Sequence, residues 1–166
     1  MGSLLAIEGK LAGRGHIGLS PFGCSVCTTS KKTIANSTGI AISWDSDSNG
    51  ACYNDGQVWS SKAKTRFTAP EEGVYQLSFS VTWGEAAKAG ERSVFITVNG
   101  SENNKLADSQ GTFQNETQLC TAMTSLEKGD YMEAWVYQDS GVSDSLLADA
   151  YGTSFEVGRA TFEKVR

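Results

Sequence analysis

The sequence predicts an all-β sandwich, and three observations carry that expectation. No stretch of helical length repeats apolar residues every three to four positions. Several short segments alternate apolar and polar residues with period two, and Gly, Asn and Asp punctuate the gaps between them. Together the strong and weak segments number roughly eight to ten, at the spacing of a sandwich. The 166 residues, 39% hydrophobic and 10% aromatic, suffice for one domain with a real core.

Residues 1–21 read as a glycine-rich arm ahead of a single domain over 22–166. Gly13, Gly15 and Gly18 match a dinucleotide-binding fingerprint, but Ser20-Pro21 follows where that motif needs a helix. The arm also lacks a basic stretch followed by a long apolar run, the layout of a secretory signal. This sets the expectation of either a trimmed chain or a virion protein assembled inside a cell. Next comes "CSVC". A redox motif needs a following helix, and an offset of three on a strand sends Cys24 and Cys27 to opposite faces. Small buried side chains are the expectation there, and the four cysteines do not decide the redox compartment.

"KTIANSTGIAISW" and "VWSSKAKTRFTAP" are the weaker strands, the second ending at Pro70, which cannot continue a central ladder. Between them, "SWDSDSNG" spells the first half of an EF-hand loop. Position twelve counted from Asp45 is Gly56 instead of a bidentate Glu, so the EF-hand is rejected and a polar turn expected. Asp45, Asp47, Asn49 and Asp55 still gather hard oxygen ligands in one loop, and these four are the candidate calcium ligands.

"GVYQLSFSVTW" is the clearest strand, with Tyr75, Leu77, Phe79, Val81 and Trp83 on one face and Gln76, Ser78, Ser80 and Thr82 on the other. "SVFITVNG" places Val94, Ile96 and Val98 together and stops at Asn99-Gly100, a pair that accepts positive φ. "TQLCTAMTSLEKGDYMEAWVYQDSG" reads as a hairpin closed at Lys128-Gly129-Asp130. In its second strand Tyr131, Glu133, Trp135 and Tyr137 alternate with Met132, Ala134 and Val136. Both faces are therefore expected to be covered, one by a second sheet and the other by another subunit. "TSFEVGRATFEKV" closes the chain through Phe155, Val157 and, after a break at Gly158, Phe162.

In order and spacing, "RFTAPEEGVYQLSFSV", "VFITVNG", "TSLEKGDYMEAWVYQDSG" and "SFEVGRATF" resemble the globular head of complement C1q and the wider C1q/tumour-necrosis-factor superfamily, from about Ile34 to Phe162. The resemblance implies a ten-stranded, two-sheet jelly roll that assembles as a homotrimer, is not an enzyme and needs no cofactor. It places the strands around Gly73 to Trp83, Leu119 to Leu126 and Phe155 to Phe162 at the threefold axis. Some such trimers hold calcium near the apex. The chain departs from the pattern in having no Gly-X-Y stalk and in carrying Glu156 and Arg159. Superfamily members also tip phage fibres and bacterial filaments, and a head without stalk or signal is expected on a virion surface or outside cells.

Function classes narrow accordingly. A net charge of -5 leaves no basic stripe for nucleic acid, and no segment is long enough for membrane insertion. The only histidine, His16, lies in the arm, away from any nucleophile in the sandwich. Glu133 is the one acid inside a strong strand, flanked by Tyr131, Trp135 and Tyr137, and these four are the candidate ligand-binding residues. The leading expectation is a structural or adhesive module, a capsid decoration or fibre tip, with a capsid, a fibre or a cell-surface receptor as partner. The alternatives are a carbohydrate-binding or carbohydrate-active jelly roll and a secreted complement-like or cytokine-like ligand. Three sequons, at Asn36, Asn99 and Asn115, read as ordinary Asn-rich turns.

Overall fold

The computed structural model describes residues 23–45, 53–84, 90–100, 105–112, 117–148 and 153–160. Twelve strands lie among them: β1 (Gly23–Cys27), β2 (Lys32–Ile34), β3 (Thr38–Ala41), β4 (Tyr53–Asp55), β5 (Arg66–Thr68), β6 (Gly73–Thr82), β7 (Glu91–Val98), β8 (Lys105–Gly111), β9 (Thr117–Leu126), β10 (Tyr131–Asp139), β11 (Asp144–Leu146) and β12 (Thr153–Ala160). Ten of these strands build two sheets. The first runs β4-β1-β12-β6-β9; the second runs β3-β10-β7-β8, with β5 also pairing β10; β11 and β2 form a small separate pair. The expected ten-stranded, two-sheet jelly roll is the fold. The arm and Phe162 lie outside the described residues.

Period-two alternation decides which face each strand buries. On β6, Tyr75, Leu77, Phe79 and Val81 are fully buried while Gln76 is exposed and Ser78, Ser80 and Thr82 are half-buried. Opposite them, Met132, Ala134 and Val136 of β10 and Val94 and Ile96 of β7 point inward from the second sheet. Aromatic rings fill the middle. Phe67 meets Phe155 edge-on with centroids 4.5 Å apart, and Trp44 lies 6.0–6.1 Å from Phe67, Phe79 and Phe155. These offset and T-shaped contacts match the ring quadrupoles as well as excluding water.

A polar cluster locks one end of the sandwich. Arg92 and Asp144 form a fully buried ion pair, Nε to Oδ2 at 2.7 Å. Trp83 Nε1 donates to Gln118 Oε1 at 2.7 Å, and Gln118 Nε2 donates to the Arg92 carbonyl at 3.0 Å. Side chains from both sheets thus satisfy one another where an unpaired charge would be costly.

Two expectations are corrected. The segment around Lys128-Gly129-Asp130 closes no hairpin, because β9 pairs with β6 in the first sheet and β10 pairs with β3, β5 and β7 in the second. Gly129 does take positive φ, 95°, but the turn carries the chain from one sheet to the other. Nor does Gly158 break its strand: β12 continues through Gly158, Arg159 and Ala160, paired with Gln76, Tyr75 and Val74. Backbone pairing needs no side chain, and the ladder holds on the other side too, where Gly158 faces Gly23.

Candidate functional site

Tyr131, Glu133, Trp135 and Tyr137 do share the outer face of the second sheet, as alternation requires. The register sets out that face in rungs. Glu133 stands opposite Arg66 on one side and Thr97 on the other, with Lys105 beyond Thr97; Trp135 stands between Ala41 and Phe95; Tyr137 stands between Gly39 and Ser93, with Gln110 beyond Ser93.

At one end the residues engage each other. Glu133, 6% exposed, accepts from Thr65 Oγ1 at 2.8 Å and lies 3.5 Å from Arg66 Nε. The Arg66 guanidinium also sits 4.2 Å from the Tyr131 ring centroid. The carboxylate is thus held in an ion pair, and Arg66 covers the phenol. In the middle, Trp135 stacks on Phe95 at 6.1 Å and 12°, with Lys105 Nζ 4.1 Å from the Phe95 centroid. Trp135 Nε1 and Thr97 Oγ1, on neighbouring rungs, are buried without a protein hydrogen-bond partner. At the far end an open groove of about 400 Å³ is lined by Gly39, Glu91, Ser93, Phe95, Lys105, Gln110 and Tyr137. Of the four candidates only Tyr137 lines it. Lys105 and Gln110 come from β8, whose sequence shows little, while Gly39, Ser93 and Phe95 lie in segments legible as strands; Ser93 and Gln110 become neighbours only through cross-strand register.

The calcium candidates are dispersed differently. Asp47 and Asn49 lie outside the described residues. Asp45 follows β3 and bridges Lys32 Nζ at 3.1 Å, while accepting from Thr29 N at 3.2 Å. Asp55 is exposed at the end of β4, opposite Gly23. Among the described residues no cluster of three or more His, Cys, Asp or Glu could hold a metal ion. Cys24 and Cys27 are both buried on β1, Cys24 within the core cluster. Burial, with a smaller contribution from Asp108, pushes the Cys120 thiol up to about 11, far from a reactive thiolate. Cys52 is outside the described residues.

The first sheet has an open face of a different kind. Its rungs read Leu119–Ser80–Ser154, Thr121–Ser78–Glu156–Ser25–Tyr53 and Met123–Gln76–Gly158–Gly23–Asp55. The interior of the face carries Ser25, Ser78, Ser80, Gly158 and the longer polar Gln76 and Glu156, while Leu119 (58%) and Met123 (60%) on one edge strand and Tyr53 (48%) on the other are exposed. Arg159 bends away to Glu71, Nη1 to Oε2 at 2.9 Å, and to the Glu72 carbonyl at 2.6 Å, passing over Gly73 so closely that a Cβ there would collide with it.

The model of the C1q domain matches residues 26–155, most of the chain and both sheets. The protein belongs to the C1q domain family. No curated protein gives a significant match. C1q domains are generally non-enzymatic, extracellular ligand-binding modules that often trimerise. The three strands that the resemblance assigned to a threefold axis, β6, β9 and β12, lie side by side in the first sheet of this C1q domain.

Proposed function

We propose that this C1q domain is a homotrimeric, non-enzymatic head that turns the open face of its first sheet inward and presents its second sheet to ligands. The exposed Leu119 and Met123 on one edge, with Tyr53 on the opposite edge, carry the reading. Solvent-exposed apolar groups at the two edges of this face, with the polar Gln76 and Glu156 between them, favour contact with another protein surface. Because the Leu119/Met123 edge and the Tyr53 edge differ, a copy that joins one to the other makes a head-to-tail contact, and such contacts close into a ring when the rotation between copies closes. The family habit makes that ring a trimer. Light scattering at micromolar concentration is expected to give a trimer for the native chain and a monomer for Met123→Glu, which buries a charge in the contact. A monomeric native chain would overturn the reading.

The setting we infer is the outside of a particle, as a capsid decoration or fibre tip, with a receptor or capsid as partner. The test is the gene neighbourhood: flanking genes for virion structure would support that setting, and flanking genes of unrelated function would remove it without touching the trimer.

A further inference from the structure

The groove beside Tyr137 has a built shape. Across the second sheet one rung is low: Gly39 has no side chain, Ser93 a short one, and both flank Tyr137. The next rung, Trp135 stacked on Phe95, forms a tall wall on one side, and Glu91 with Asp139 forms the other. A trough therefore crosses the sheet, open to solvent, with a volume of about 400 Å³ that lies inside the usual range for small-ligand sites, roughly 300–1,000 Å³. Because Gly39 faces Tyr137 with nothing longer than hydrogen, the flank of the phenol ring is left uncovered; a Cβ at that position would already lie 3.8 Å from Tyr137 Cδ2.

The polar groups around the trough are of mixed sign and partly fixed in place. Glu91 Oε1 accepts from Ser93 Oγ at 3.1 Å, and Lys105 is held over Phe95 at 4.1 Å. Gln110 offers an amide that both donates and accepts. One acid and one base among the lining residues balance, and Asp139 at the rim adds negative charge, which disfavours an anion. Lys105 offsets one of these carboxylates and stands against a cation in direct contact with it. An exposed aromatic flank ringed by paired donors and acceptors, with no surplus positive charge, suits a ligand that is apolar on its C–H faces and rich in hydroxyls at its edges.

We propose that this trough binds a neutral pyranose saccharide, with Tyr137 as the stacking surface and Glu91, Ser93, Lys105 and Gln110 as hydrogen-bonding partners of its hydroxyls. The site stands on the outer face of the second sheet and does not require the trimer. The sequence alone pointed to a saccharide near Tyr131, Glu133, Trp135 and Tyr137. The structure moves the site along the same face, since Thr65 and Arg66 already occupy Glu133, and Arg66 covers Tyr131.

The test is an array of neutral and sialylated or sulfated glycans probed with the full chain, followed by calorimetric titration of the best neutral oligosaccharide. Binding to neutral glycans is expected, weakened about tenfold or more by Tyr137→Ala and by Gly39→Val, which fills the trough. Gln110→Ala, an exposed edge-strand change, is expected to weaken it as well while leaving the thermal unfolding midpoint unchanged. Binding only to acidic glycans, no binding to any glycan, or neutral binding that none of the three variants alters would each overturn the proposal. Light scattering on the same samples separates this result from the trimer reading, because a monomer that binds the neutral sugar supports the trough and removes only the trimer.

Discussion

Asn99 holds the end of β7 through both ends of its amide. At φ 55° it sits in the left-handed region that Asn tolerates; its Nδ2 donates to Asp130 Oδ1 at 2.9 Å, and its Oδ1 accepts from Tyr131 N at 3.0 Å. The reading of this sequon residue as a turn former thus has its physical cause. Asp130 in turn accepts from the Glu127 N–H at 2.9 Å, and the donation from Asn99, followed by that backbone bond, holds its carboxyl below the usual range. A depressed folded value contributes stability above the unfolded value, near 3.9, and loses it as pH falls through the folded one. The group lies near the surface, so the effect is at most about 0.5 kcal/mol. In urea titrations the native chain is expected to exceed Asp130→Asn in stability at pH 6, with the gap closing below about pH 4; a gap independent of pH would refute this.

Single elements show where local pattern suffices and where it does not. Alternation in "GVYQLSFSVTW" assigns the buried face of β6 correctly because a pleated strand must send neighbouring side chains to opposite sides. Pro70 likewise lies just past β5, as the missing amide hydrogen demands. A glycine turn, however, states only that the chain reverses. It is silent on whether the next strand pairs with the last or crosses to a facing sheet about 10 Å away, and residues 127–130 cross. Gly129 has nothing within 4 Å of a built Cβ, so Gly129→Ala pays only for the left-handed backbone, about 1–2 kcal/mol, measured as a lowered urea midpoint with unchanged slope. A neutral substitution would show that the turn relaxes. The strand β8, "KLADSQG", escaped sequence reading because it is a polar edge strand whose pairing to β7 includes a register shift between Ile96 and Thr97.

At the scale of the molecule, the two sheets expose different characters: polar in the middle and apolar at the edges on the first, aromatic and troughed on the second. If the first face is shared between copies, unfolding is coupled to dissociation, so the thermal midpoint of the native chain is expected to rise with protein concentration and that of Met123→Glu to stay constant. A concentration-independent native midpoint would argue against a shared face. By itself the sequence determined the all-β class, the buried face of each strong strand and the family, because these follow from alternation, turn chemistry and ordered short motifs that act over a few residues. The tertiary structure alone decided which strands became neighbours: that β9 and β10 part, that Arg66 takes Glu133, and that Gly39, Tyr137, Ser93 and Gln110 meet on one rung. Each of those juxtapositions depends on register between strands far apart in the chain, and a one-residue slip in register would replace every partner.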